Sequence, residues 1–114
     1  MTVNDHLKRL LVETIANNIN EVTFGFDGTP ETSSDGSAGR PAITLTPTVT
    51  IVDNSTLLIE AKIPTNHQFD DTLKEVYIQM RNTNDFTPIG RHTFRPILKN
   101  GSNEVIAQII MEVQ

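Results

Sequence analysis

The stretch Ala42–Ile63, AITLTPTVTIVDNSTLLIEAKI, decides the fold, because apolar and polar residues alternate through it with a break only at positions 53–55. In its first half the apolar side chains point to one face and the threonines to the other, which is the pattern of a half-buried antiparallel strand. We therefore predict a hairpin of two strands, Ala42–Val52 and Thr56–Ile63, in a sheet with one wet face. Pro47 removes one ladder donor, which favours an edge position or a bulge there.

One helix and four further strands are predicted around this hairpin. Apolar residues at helical spacing indicate an amphipathic helix over about 3–18 that lays Leu7, Leu11 and Ile15 on an apolar surface. Shorter alternating runs predict strands at 22–26, 73–81, 86–98 and 105–113, the third with bulges and the last after a tight hairpin turn at 99–103. Together these elements predict a mainly β chain, a small antiparallel β-sandwich or open barrel with one N-terminal amphipathic helix.

Length and composition narrow the possible classes. The 114 residues predict a single domain over 1–114, with the helix at about 3–18, a mobile loop at 27–41 and the β core at 42–114. The absence of cysteine excludes disulfides and thiolate metal sites. A formal net charge of -5 without a basic patch disfavours nucleic-acid partners. No apolar run of membrane-spanning length and no signal peptide is present, so we expect a soluble, unexported chain with no membrane partner.

The polar loop at 27–41 is the first predicted contact surface. It is rich in Gly, Ser, Thr and Asp, and it cannot bury enough apolar area to offset an ordering cost of about 1–2 kcal/mol per residue. Such a segment can order on a neighbouring protein, and we predict that it does so through Asp35, Gly36, Gly39 and Arg40. A second contact is predicted at the apolar helix side or at Ile106 and Ile110, whose face is covered either by the helix or by another subunit.

Metal and nucleotide sites have no matching pattern in the sequence. The three histidines, His6, His67 and His92, lack metal-ligand spacing, and Asp70 and Asp71 lack the calcium-loop spacing. The segment 36–40 is glycine-rich but leads into a strand, whereas a phosphate-binding loop leads into a helix. We therefore predict no metal and no cofactor.

Catalysis has one weak candidate arrangement. Glu60 and Glu75 could face each other across paired strands as acid and base, but relief of their repulsion by Lys62 or Lys74 is the commoner outcome of such pairing. No nucleophile motif accompanies them. We expect no enzyme activity. Tyr77 is expected to be exposed on the polar face, a lone aromatic where a sugar site usually needs several.

Three segments resemble small virion structural proteins of tailed bacteriophages. Phe24–Pro30 is similar to their FGTGTTAP stretch, and Leu73–Ile78 is similar to their lrEvGLf strand. Phe94–Lys99, followed by Asn-Glu at 103–104, resembles their f-pPitK-s…e hairpin. The likeness covers nearly the whole chain, and it departs from the family at Tyr77, where a small residue is usual, and in a shortened segment at 64–72.

The resemblance implies a non-enzymatic virion protein, a tail, baseplate or fibre-associated component that is assembled in many copies in the host cytoplasm. Its implied partners are other virion proteins and copies of itself. Two alternatives remain open. One is a capsid decoration or head fibre protein, and the other is a sugar- or receptor-binding β module that would depend on Tyr77.

Overall fold

The computed structural model describes residues 4–32, 39–65, 71–82 and 84–112. Its elements in chain order are α1 (Asp5–Asn18), β1 (Glu21–Gly25), β2 (Pro41–Leu45), β3 (Thr48–Asp53), β4 (Thr56–Ile63), β5 (Asp71–Arg81), β6 (Phe86–Lys99) and β7 (Val105–Glu112). The strands form two antiparallel sheets, a four-stranded sheet in the order β2-β1-β5-β6 and a three-stranded sheet in the order β3-β4-β7. The predicted mainly β fold with one N-terminal helix is confirmed.

One apolar core joins the two sheets. Val22 and Phe24 from the four-stranded sheet and Leu57, Ile59 and Ile63 from the three-stranded sheet are at most 1% exposed and belong to a single cluster. Burial of an aliphatic side chain of this size stabilises the fold by about 1.5–3 kcal/mol. The inward-facing residues of these alternating runs are therefore buried, as the sequence pattern predicts.

The predicted single strand Ala42–Val52 is wrong, because this stretch is two strands that belong to different sheets. β2 pairs with β1, whereas β3 pairs with β4 in the predicted hairpin with Thr56–Ile63. Pro47 lies in the two-residue link between them, and because proline has no N–H to donate, the ladder ends there. The chain crosses from one sheet to the other at this point, and both β2 and β3 are edge strands, in agreement with the predicted edge position.

The predicted hairpin turn at 99–103 also crosses between sheets. β6 pairs with β5 and β7 pairs with β4, so this turn joins the last strands of the two sheets. Asn103 Nδ2 donates to the carbonyl oxygen of Leu98 at 2.8 Å, and Asn100 Oδ1 accepts from the N–H of Ser102 at 2.9 Å. These side-chain bonds replace the ladder bonds that a hairpin would provide.

The helix has two apolar faces, and only one of them packs against the core. Asn4 caps its N-terminus by accepting from the N–H of His6 at 2.8 Å. α1 packs mainly on β3 and β4 through the fully buried Val12, together with Ile15. The predicted burial of Leu7 and Leu11 is wrong. Both belong to a second stripe, Leu7, Leu10 and Leu11, which is 42–57% exposed because it lies about 100–160° around the helix from Val12.

Candidate interaction surfaces

A polar cluster on the outward face of the four-stranded sheet closes the base of the 27–40 segment; we call Asp27, Gly39, Arg40, Glu75 and Arg91 the loop neck. Glu75 is fully buried. Its carboxylate accepts from the backbone N–H groups of Asp27 at 2.7 Å, Gly39 at 2.7 Å and Arg40 at 2.9 Å, and from Nε of Arg91 at 2.8 Å. One carboxylate thus holds both ends of the segment.

A glycine on the neighbouring strand makes room for this carboxylate. Gly25 of β1 lies opposite Glu75 of β5 in the ladder. A Cβ atom at position 25 would lie 2.5 Å from Oε2 of Glu75 and 2.6 Å from the carbonyl oxygen of Arg40. That carbonyl accepts from the N–H of Phe26 at 2.9 Å, so the chain enters and leaves the segment side by side.

Arg91 balances the charge of Glu75 and also connects it to Asp27 at the start of the 27–40 segment. The two side chains are 4% and 0% exposed, and Nη2 of Arg91 also donates to the carbonyl oxygen of Asp27 at 2.9 Å. The same nitrogen lies 3.8 Å from Oδ2 of Asp27. A buried carboxylate costs free energy unless it is paired and hydrogen-bonded, and Glu75 is both.

Hydrogen bonding decides the ionisation of these carboxylates. Burial raises the pKa of Glu75, but the hydrogen bonds from Arg91 and from the backbone N–H groups of Arg40, Gly39 and Asp27 outweigh burial and hold this pKa below its ordinary 4.5. Hydrogen bonds from the hydroxyl and the N–H of Thr29 lower the pKa of Asp27. Both groups are therefore ionised acceptors at neutral pH, and Glu75 is suited to anchoring the chain.

The predicted loop contacts divide into two groups. Gly39 and Arg40 take part in the loop neck through their backbone, and the guanidinium of Arg40 lies over the Phe26 ring with Cζ 5.9 Å from its centre. Asp35 and Gly36 lie outside the described residues. Contact of these four residues with a partner protein stays a prediction.

Ile106 and Ile110 form an exposed apolar pair on the outward face of β7. They are 50% and 69% exposed. Their neighbours across the ladder are Lys62 and Leu58 of β4. Because α1 packs mainly on β3 and β4 and leaves both isoleucines exposed, the expectation that the helix covers them is wrong. Coverage by another subunit stays a prediction.

A cleft of about 220 Å³ runs along the side of β7 that faces away from β4. Residues from both faces of β7 line it, the inward Ala107 and Ile109 and the outward Ile106 and Gln108. Five consecutive residues of β7, 105–109, line the cleft, and no strand in the described part of the chain pairs with β7 on this side, so this edge is open. Across the cleft lie His92, Phe94 and Ile97 of β6.

The arrangement of Glu60 opposite Glu75 is wrong. Glu60 belongs to β4 and Glu75 to β5, and these strands lie in different sheets. Glu60 accepts from Nε2 of Gln108 at 3.1 Å, and Lys62 pairs with Glu104 at 3.2 Å. The expected relief by Lys62 or Lys74 therefore does not occur at either glutamate. Arg91 of β6, which no sequence pattern marks, pairs with Glu75 instead.

The expected exposure of Tyr77 is also wrong. Tyr77 does lie on the outward face of its sheet, but it is only 2% exposed. β5 is flanked by β1 and β6, and the register neighbours of Tyr77, Thr23 and Arg91, are themselves only 7% exposed. Its ring therefore offers no platform for a sugar.

The residues considered as metal ligands do not form a cluster in the described part of the chain. His6 and His92 are exposed on different elements, His92 with Nδ1 3.4 Å from Glu31 Oε1, while His67 and Asp70 lie outside the described residues. Within the described ranges no group of three histidine or acidic residues could hold a metal ion. No helix in this part of the chain is long and apolar enough to cross a membrane.

Comparisons with known proteins give no relative for this chain. No family model, no curated protein and no solved structure matches it.

Proposed function

We propose that this chain is a non-enzymatic structural protein of a phage virion, a tail, baseplate or fibre-associated component that is held in the particle by protein–protein contacts. The observation that carries the proposal is the amount of apolar surface left uncovered. Among the described residues, the exposed large apolar side chains, each at least 41% accessible, are Leu7, Leu10, Leu11, Val52, Phe86, Ile97, Leu98, Ile106 and Ile110.

The positions of these side chains support assembly more than their number does. Single exposed apolar residues are ordinary, but grouped ones mark interaction sites. One group is the leucine stripe of α1, on the side of the sandwich where β3 and β4 lie. Another contains Ile97 and Ile106, which line the cleft between β6 and β7, and Ile110, which lies on the same face of β7 as Ile106. Two apolar groups at separate places suit a subunit that has more than one neighbour.

The resemblance supports the virion part of the proposal. Two of the segments that carry it, Phe24–Pro30 and Leu73–Ile78, meet in the structure where Gly25 and Asp27 lie against Glu75. The motif residues therefore close a loop and space two strands. Architectural use of the motifs is what a structural subunit requires.

Two measurements test the proposal. The mass of the purified protein by sedimentation and light scattering should exceed that of the 12.7 kDa chain and depend on concentration. Mass spectrometry of gradient-purified particles of the phage that encodes the sequence should detect the chain. A strict monomer at every concentration, together with absence from purified particles, contradicts the proposal.

A pair of helix variants tests whether the leucine stripe is a contact. Leu10 is 57% exposed, so Leu10→Lys should leave the melting temperature unchanged and lower incorporation into particles at least tenfold. Asp5→Lys places the same side chain at an exposed position of the same helix, about 140° around it from Leu10, and should incorporate normally. Equal incorporation of both variants would remove the helix from the interface.

A further inference from the structure

Four strands end the two sheets, and three of them carry features that discourage pairing with another chain. β2 begins at Pro41 and has a register shift, β3 follows Pro47 and has another, and β6 contains Pro88 and Pro96. In addition, the N–H of Thr93 in β6 is taken by Glu31 at 3.4 Å. Prolines, bulges and covering segments are the devices by which proteins protect sheet edges.

β7 is the exception. It runs in unbroken register with β4 from the pair Ile63–Val105 to the pair Thr56–Glu112. The strand has no proline, and its one charged residue, Glu112, is at its end. The open cleft lies along its free side. No described strand pairs with its outer row of N–H and C=O groups, so a further strand can pair there.

The side-chain pattern of β7 is complementary to itself. The run Val-Ile-Ala-Gln-Ile-Ile-Met at 105–111 has apolar residues at equal distances on both sides of Gln108. Antiparallel pairing about Gln108 would place Ile106 opposite Ile110 of the partner subunit and Ile110 opposite Ile106 of the partner subunit. Residues directly opposite in an antiparallel pair lie on the same face and contact each other, so the exposed isoleucines would cover one another.

We propose that β7 pairs with β7 of a second copy of this chain, antiparallel and with Gln108 at the two-fold axis. The two three-stranded sheets then form one six-stranded sheet. An isologous contact needs a patch that matches itself, and the run about Gln108 meets this requirement. The inference rests on the proposed assembly role and names one partner and the residues that meet it.

Disulfide trapping tests the pairing directly, because the chain has no cysteine of its own. Gln108→Cys places two thiols opposite each other at the two-fold axis, where the Cα atoms of paired residues lie about 4.5–5.5 Å apart, within disulfide reach. We expect a covalent dimer on mild oxidation. Glu60→Cys is the matched control, because Glu60 neighbours Gln108 on β4 and two copies would lie three strand spacings, about 14 Å, apart.

Charge exchange tests the register. Ile106→Glu alone and Ile110→Lys alone should each raise the dissociation constant of the dimer at least tenfold, because a charge faces an isoleucine. In the double variant Ile106→Glu/Ile110→Lys every glutamate faces a lysine of the partner subunit, so the dissociation constant should return to within about threefold of the original. Both positions are at least half exposed, and circular dichroism should confirm an unchanged fold.

The outcomes separate this inference from the proposed function. If Gln108→Cys forms dimers no faster than Glu60→Cys while the protein still sediments as an oligomer or is present in particles, the β7 pairing is overturned and the assembly role stands. If the double variant associates as poorly as the single ones, the register is overturned. A strict monomer that is also absent from particles overturns both.

Discussion

The loop neck and the β7 edge reverse the usual placement of polar and apolar groups. At the neck, a carboxylate, a guanidinium and several backbone N–H groups are buried, and Glu75 and Arg91 satisfy each other inside the chain. At β7, Ile106 and Ile110 face solvent beside an open strand edge. The comparison indicates where the chain completes its own contacts and where it leaves apolar side chains uncovered.

The two regions also differ in which free energy they govern. Loss of a contact at the neck should appear in the unfolding of one chain, because all the partners belong to that chain. Loss of a contact at β7 should appear in association, because the partner is absent from the single chain. The following predictions test this division, from the largest expected effect on unfolding to the smallest.

Glu75→Gln should have the largest effect. The amide keeps the shape but removes the charge, turns an N–H₂ group towards backbone donors and leaves the buried Arg91 with only the more distant carboxylate of Asp27. The free energy of unfolding in a urea titration should fall by about 3–5 kcal/mol. Glu60→Gln, on the exposed side of the three-stranded sheet, should change it by no more than about 0.5 kcal/mol. Equal losses for the two variants would show that the buried Glu75 contributes no more to the free energy of unfolding than the exposed Glu60 does.

Gly25→Ala should have the next largest effect. The added methyl group would overlap the Glu75 carboxylate and the Arg40 carbonyl, so the neck must shift, at a cost of about 1–3 kcal/mol. Gly90→Ala is the matched control, because a Cβ atom there meets nothing within 4 Å. Thermal melting should separate the two variants, and a similar melting temperature for both would contradict the close approach at Gly25.

Acid should weaken the neck. The pKa of Glu75 is below its ordinary 4.5 in the folded chain, so the unfolded chain binds the proton more readily. The stabilisation by Glu75 is therefore complete above about pH 4.5 and is lost as the pH falls through the lowered folded value. Melting temperatures from pH 6 to pH 3 should fall less steeply for Glu75→Gln than for the original chain. Parallel curves would contradict the pKa assignment.

Ile110→Thr should have the smallest effect on unfolding. The side chain is 69% exposed and threonine suits a strand, so at low concentration the free energy of unfolding should change by no more than about 0.5 kcal/mol. The dissociation constant of the self-associated form, measured by sedimentation, should rise. A large loss of stability with unchanged association would show that Ile110 stabilises the single chain, as the loop neck does, and contributes nothing to self-association.

The alternation through Ala42–Ile63 predicted the strands but not the change of sheet. The two sheets of a sandwich face one core, so a strand that crosses between them keeps its inward phase, as Leu45 and Val49 do on either side of Pro47. Nothing in the pattern marks the crossing except the proline. Its missing donor was sufficient to predict an edge but not to assign the two halves to different sheets.

The candidate surfaces were predictable to different degrees. Ile106 and Ile110 were found from the sequence because they break the alternation of their own strand. The loop neck was not, because Glu75 lies at a position that is outward in phase, where the pattern predicts exposure. Backbone N–H groups of Asp27, Gly39 and Arg40, more than thirty residues away, bind Glu75, and local spacing carries no information on contacts at this separation. A carboxylate opposite a strand glycine was the one available signal.

The loop neck has a consequence for how such a chain can change during evolution or by engineering. Since a single carboxylate binds the chain at Asp27 and again at Gly39 and Arg40, the junction with the sheets is fixed independently of the length of chain between these two points. A foreign epitope or a fluorescent peptide inserted between these two points would begin and end at the same closed base. Related chains that keep Gly25, Glu75 and Arg91 would keep this closed base while the sequence between its two ends changes.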